Sequence, residues 1–192
     1  RFAAGDADLG ANYLAALHPM VWEASRRDDF VKDARAMRAR VIDNIPAAQR
    51  GRQLKLSSGG LRDVEFAVQL LQLVHGRADE AVRSPNTLEA LEALTDGGYV
   101  GRDDGAALAN SYTFLRTLEH RIQMFRMQRT HLVPEADEDL TRIGRSMGFK
   151  RDSAHAITDA WQGHRRVVSK LHEKIFFRPL LEAVAAIPTD AL

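Results

Sequence analysis

Apolar residues recur along this chain at spacings of three and four, which predicts helices and no sheet. Leu9, Tyr13 and Leu17 stand four apart until Pro19, and Asp6 or Asp8 supplies a cap, so a short helix is expected there. Phe30, Ala34, Met37 and Val41 repeat the spacing until Pro46. Residues 46–53 are polar and turn-forming and read as a connector, and the Leu54-Lys55-Leu56 triplet behind them is too short to make a sheet. A long helix is expected from Leu61 to His75. The run SPNT at 84–87 sets Ser84 as a cap before Pro85 at the first helical position, with Leu88, Leu91 and Leu94 following until Gly97 and Gly98. A second long helix is expected from near Asp104 to Arg129, with Leu108, Tyr112, Leu115 and Ile122 on one stripe, and a shorter one holds Leu140, Ile143 and Met147 and ends at Gly148. From Ser153 onward Ile157, Trp161, His164, Val168, Leu171 and Ile175 form a heptad-like seam that Pro179 should break or kink. The pattern therefore predicts one all-α domain over residues 1–192. It is a helical bundle of about seven helices, two or three of them long, divided into N-terminal helices (1–45), the connector (46–53) and a main bundle (54–192).

The stretch KLSSGGLRDVEF, residues 55–66, breaks this regularity, because two serines and two glycines are followed by three charges that open an apolar helix. At 100° per residue, Arg62, Glu65, Gln69 and Gln72 fall within a stripe about 80° wide, while apolar side chains fill the rest. Asp63 lies off that stripe among Ala67, Leu70 and Val74, where a carboxylate is tolerable because the first turn offers unpaired N–H groups and the positive end of the helix dipole. Gly59 and Gly60 permit backbone conformations closed to other residues, and a glycine turn feeding a helix start is a place where phosphate can bind. The structural alternative is a solvated first turn in which Asp63 is a cap. On the second long helix, Glu119 falls on the apolar stripe, so it is expected to be a structural buried carboxylate paired with Arg116, Gln123 or Arg126.

Composition narrows the function. With 27 Lys+Arg against 26 Asp+Glu, the net charge of +1 argues against a dedicated nucleic-acid binder or a polybasic membrane anchor. The absence of cysteine excludes disulfides, thiolate zinc sites and cysteine nucleophiles. Apolar runs such as FAVQLLQLV are too short to span a bilayer, and a cytoplasmic protein is expected. His155, His164 and His172 lie nine and eight apart, which does not stack two imidazoles on adjacent turns, so no metal site is expected. Arg165, Arg166, Lys170 and Lys174 read as a solvated helix face, and Trp22 and Trp161 as core or interface residues. The chain begins at Arg1, which suggests a piece excised from something longer.

Several long segments resemble one family. KLSSGGLRDVEFAVQ (55–69) is similar to the motif that follows the nucleotidyltransferase domain in glutamine-synthetase adenylyltransferases and, more loosely, in PII uridylyltransferases. YTFLRTLEHRIQM (112–124) resembles that family's second helical signature, with THLVP (130–134) after it. AGDADLG (4–10) resembles the junction behind the catalytic domain, and LHEKIFFRPLLEAVA (171–185) is similar to the close of the first of two repeated units in the actinobacterial type. The resemblance implies a parent enzyme that adenylylates a tyrosine of glutamine synthetase with ATP and Mg²⁺ and reverses this by phosphorolysis under control of the PII signal protein. It implies an upstream nucleotidyltransferase domain as the direct partner and places this chain after the unit that removes the adenylyl group. The family's catalytic aspartates and glycine-serine turn do not occur here, so the chain alone is expected to be inactive and to bind neither ATP nor Mg²⁺ itself. Gly59, Gly60, Arg62, Asp63 and Glu65 are its candidate residues facing the active site or nucleotide. Ser57 and Ser58 stand where the family's turn is richer in glycine, a departure that bears on a direct phosphate role. The competing reading is an all-α interaction or scaffold module unrelated to nucleotides.

Overall fold

The computed structural model describes residues 3–27 and 29–185. It contains seven α-helices: α1 (Ala7–Trp22), α2 (Phe30–Asp43), α3 (Leu61–His75), α4 (Thr87–Asp96), α5 (Arg102–Arg126), α6 (Asp137–Ser146) and α7 (Ser153–Ala185). Among the described residues there is no strand, only a single antiparallel bridge between Gln53 and Leu132. None of these helices is long and apolar enough to cross a membrane.

The main bundle forms because α3, α5 and α7 each bring an apolar stripe to a common core. Leu61, Val64, Val68 and Leu71 of α3 meet Leu108, Leu115 and Leu118 of α5 and Ile157, Trp161 and Val168 of α7, with Leu91 and Leu94 of α4 closing one side and Ile143 of α6 another. Each such side chain withdrawn from water contributes roughly 1.5–3 kcal/mol. The seam read along α7 is thus the one that packs. The polar stripe of α3 is only partly wet: Gln69 is exposed, but Gln72 donates to Val82 O and Ser84 O at 2.7 and 2.8 Å, and Glu65 is buried beneath α5.

The expectations for the α4 cap and for the two prolines need correction. The cap of α4 is Asn86, whose side chain accepts from Leu88 N and Glu89 N, so Ser84 lies two residues too early and instead donates to Glu89 Oε2. Pro19 does not end α1, and α7 likewise passes Pro179, since one missing N–H removes a single bond from an otherwise intact ladder. The connector, residues 46–53, is tied down at both ends. Leu54 N donates to His131 O and Val133 N to Arg52 O, Arg50 Nε donates to Ile45 O, and Ile45 and Leu54 are buried. The apolar stripe of α1 is exposed, with Leu9 69%, Tyr13 64% and Met20 69% accessible. Trp22 orients this helix: it packs on Gly76 and beneath Arg83, whose guanidinium lies 4.9 Å from its ring. Since Trp22 sits about 180° around the helix from the middle of the stripe, fixing it turns the stripe outward.

Burial of imidazoles makes the fold pH-sensitive. Desolvation lowers the pKa of His75, His164 and His172 below 6.5; Asp79 opposes this at His75, while Asp63 and Glu173 oppose and Arg38 reinforces it at His172. Because the folded pKa is the lower one, the unfolded chain takes up protons first as pH falls, so this stability is complete above 6.5 and is lost as pH falls below it. Urea midpoints should therefore drop between about pH 7.5 and 5.5, above the range where most carboxylates titrate. His164→Asn should flatten that drop; a midpoint constant across the window would contradict the assignment.

Candidate functional site

The turn before α3 is held by its own backbone hydrogen bonds. Gly59 N donates to Asp63 Oδ2 at 2.7 Å, Gly60 N to Ser57 O, Leu61 N to Leu54 O, Arg62 N to Lys55 O and Asp63 N to Gly60 O. These are the groups that would cradle a phosphate at a helix start. All are spent inside the protein. The glycines are demanded by packing: Gly59 has φ +73° and a Cβ there would collide with the carbonyl of Arg165 on α7, while one on Gly60 would lie 2.6 Å from Leu54 O. Gly59 and Gly60 thus admit neighbouring backbone, which is a different use from the approach of a ligand. Arg165 reinforces the contact by donating to Gly51 O and Ser58 O, so it is no part of a solvated face; Arg166 and Lys170 are exposed, and Lys174 pairs with Asp104 at 2.6 Å.

Asp63, 2% exposed, is the centre of this arrangement. Its Oδ1 receives Arg38 Nε and Nη2 of α2, each at 2.6 Å, and Arg38 also donates to Leu56 O and Ser57 O. His172 of α7 stands with Nε2 3.8 Å from the same oxygen. A cleft of ≈ 270 Å³ between α2 and α7 opens over this group. Arg38 is the residue that sequence reasoning missed; its only signal was an arginine one residue after Met37 on a helix, which by itself marks nothing.

Glu65 and Glu119 anchor a second network one turn along. Glu65 Oε2 lies 3.5 Å from Arg62 Nη1, while its Oε1 lies 3.6 Å from Arg116 Nη2 and accepts from Tyr112 OH at 3.4 Å. Arg116 donates from Nε to Tyr112 OH and from Nη1 to Glu119 Oε2 at 2.7 Å. Glu119 Oε1 is approached by His131 Nδ1 at 2.8 Å, without hydrogen-bond alignment, and by Lys55 Nζ at 3.9 Å. Burial opposes the charge of Arg116, yet Glu119 and Tyr112 outweigh it and its pKa is raised. The two motifs of the sequence are therefore joined side chain to side chain. Arg116 is the partner foreseen for Glu119; Gln123 instead donates to Thr130 O, and the side chain of Arg126 lies outside the described residues. His131 and Lys55 were not foreseen, because they reach Glu119 from segments whose path no helical period describes.

The candidate residues accordingly divide. Gly59, Gly60 and Asp63 hold the turn, Glu65 is buried between two arginines, and Arg62 remains at the surface with its side chain 35% accessible. Among the described residues its polar contact is Glu65 alone, with its guanidinium 5.9 Å from the Phe66 ring. A divalent cation does not fit this donor set. Both oxygens of Asp63 are occupied, Glu65 and Glu119 face cations, and the described residues hold no cluster of three metal-ligating side chains. The histidines of α7 have different partners: His164 stacks on Phe114 and meets Ser111 Oγ at 3.0 Å, whereas His172 faces Asp63.

Two stability predictions follow from these networks. Asp63→Asn leaves buried Arg38 without its counter-charge and should cost about 3–5 kcal/mol, only part of it recovered in Arg38→Met/Asp63→Asn, which still leaves Leu56 O and Ser57 O without their donor. A urea double-mutant cycle measures this, and a single-variant loss below about 1 kcal/mol would refute the tether. Glu119→Ala should cost about 1–3 kcal/mol by stranding Arg116 and His131. An unchanged denaturant midpoint would show Glu119 to be solvated.

Comparison with known proteins places these motifs. A family model described as GlnD PII-uridylyltransferase matches residues 35–176, from within α2 to within α7. The chain is 60% identical over 187 residues to a bifunctional glutamine synthetase adenylyltransferase/adenylyl-removing enzyme of Streptomyces avermitilis, covering 97% of this chain and 19% of that protein. Proteins of the same name from Mycobacterium leprae and Corynebacterium glutamicum are 54% identical over 190 residues and 50% over 194, covering 96% and 98% of this chain and 19% of each relative. The chain thus spans 19% of the length of these curated relatives.

Proposed function

The chain belongs to the GlnD PII-uridylyltransferase family, and we propose that it serves as the helical companion of a nucleotidyltransferase domain in an enzyme that adenylylates and deadenylylates glutamine synthetase. The observation that carries this reading is the single network in which KLSSGGLRDVEF and YTFLRTLEHRIQM meet through Glu65, Tyr112 and Arg116 and leave Arg62 at the surface. The chemistry of such an enzyme, with ATP and Mg²⁺, takes place on the partner domain, which supplies the metal's ligands. Its own part is to hold Arg62 against the facing domain and its nucleotide, where a forked guanidinium suits phosphate oxygens. Glutamine synthetase is the substrate of the whole enzyme, the PII signal protein its regulator and the cytoplasm its compartment. The chain is placed behind the unit that removes the adenylyl group. The sealing of Asp63 and Glu65 is what a scaffold module would require of those two residues, and it is compatible with both readings.

In the full-length enzyme, Arg62→Ala should lower turnover at least about tenfold, equivalent to about 1.4 kcal/mol of transition-state stabilisation, while the 192-residue chain keeps its helicity. Asp63→Asn cannot serve this purpose, since it attacks the tether to Arg38. In parallel assays with labelled ATP and glutamine synthetase, the 192-residue chain alone should give no signal above blank. A fully active Arg62→Ala enzyme, or an active isolated chain, would overturn the reading.

A further inference from the structure

Around the two buried carboxylates Glu65 and Glu119 the protein gathers more positive charge than they neutralise. Arg62, Arg116 and Lys55 contribute three cations against two anions, with His131 beside them. These cations are partly accessible, their side chains being 35%, 38% and 22% exposed, whereas the carboxylates are 11% and 3% exposed. The acids therefore lie beneath and the bases above. Glu119 commits Oε2 to Arg116 at 2.7 Å and Glu65 accepts from Tyr112 at 3.4 Å, while Glu119 Oε1 makes no hydrogen bond among the described residues. What remains for the other donors is long: Arg62 Nη1 at 3.5 Å, Arg116 Nη2 at 3.6 Å and Lys55 Nζ at 3.9 Å. Those distances are ion-pair approaches and leave hydrogen-bonding capacity unspent. Arg116 is meanwhile fixed on three sides by Tyr112, Glu119 and Glu65, so its fork is already oriented when a ligand arrives.

We propose that Arg62, Arg116 and Lys55 form a phosphoryl-oxyanion site belonging to this chain itself, with Glu65, Glu119 and Tyr112 as the residues that position them. This deepens the reading of Arg62 given above, rests on it for the place of the ligand, and departs from the expectation that the chain alone binds nothing. Arg62 and Arg116 approach opposite oxygens of Glu65, so a tetrahedral oxyanion lying over that carboxylate can receive donors from both, and Lys55 adds a point charge at the Glu119 end. The N-terminus of α3 takes no part, since its N–H groups are bonded internally. Recognition is by side chains, and the ligand is a phosphate group, free or at the end of a nucleotide.

The test is an NMR titration of the 192-residue chain at low ionic strength with sodium phosphate and, separately, with metal-free ATP. Saturable shifts are expected for amides near 62–66 and 112–119, weakened at least about fivefold by Arg62→Ala and by Arg116→Lys. The double variant Arg166→Ala/Lys170→Ala, which removes exposed cations of α7, should leave binding unchanged. Tighter binding of ATP identifies a polyphosphate tail as the ligand, and equal binding a single phosphoryl group; both support the site. No saturation with either probe below about 50 mM, or equal weakening by the α7 variant, overturns it. If the chain binds neither probe while Arg62→Ala still slows the full-length enzyme, this inference falls and the companion-domain reading stands. Binding by the chain alongside a fully active Arg62→Ala enzyme has the reverse meaning.

Discussion

The ion pair between Arg38 and Asp63 is the constraint on which the rest depends, because one carboxylate joins α2 to the glycine turn that opens α3. Through Oδ1 it holds α2, and through Oδ2 it holds Gly59 N, so the orientation of the N-terminal helices and the shape of the glycine turn are set by the same group. Removing both charges from water is expensive, and such a pair is weak evidence for net stability. Its value lies in specificity: Arg38 also satisfies Leu56 O and Ser57 O, acceptors that no apolar residue could serve. His172 stays compatible with the pair because burial and the nearby Arg38 favour its neutral form against the pull of Asp63 and Glu173. Gly59 then lets α7 approach until the carbonyl of Arg165 occupies the space of an absent side chain.

Helix existence and most helix ends were legible in the sequence, since period and caps are local properties. The seven helices and the buried seam of α7 are where spacing puts them. Burial was legible for Glu119, because its angle on α5 leaves no other place for it, and so was Arg116 one turn away. What spacing could not supply was any partner brought in by tertiary folding. Arg38 is 25 residues from Asp63 on a different helix, and Lys55 and His131 reach Glu119 from segments of no period. The same limit explains α1. Its stripe predicts a helix correctly, but a stripe says nothing about which face meets the bundle, and Trp22 decides that by its fit against Gly76 and Arg83. Ser84 was mistaken for the cap because Asn86, two residues on, has the same chemistry and the better position.

The motif that opens α3 thus separates into residues that hold and residues that present, and the separation follows from charge and reach. An aspartate at the third helical position is short; it can turn back to Gly59 N and sideways to Arg38 but cannot leave the core. A glutamate two residues later reaches the edge of α5 and is covered by Tyr112. Arg62 alone has the length to set its guanidinium near the Phe66 ring and keep it at the surface. The desolvation of Glu65 and Glu119 offsets much of what their ion pairs return, and an apolar residue exchanged for either one alone would strand the cations paired with it. Such an exchange would also release Arg116 and Arg62 to the many rotamers of free arginines. The carboxylates therefore matter through the geometry they impose on the bases above them, and an ordered pair of arginines over buried acid is a surface prepared for an anion that the acids themselves cannot satisfy.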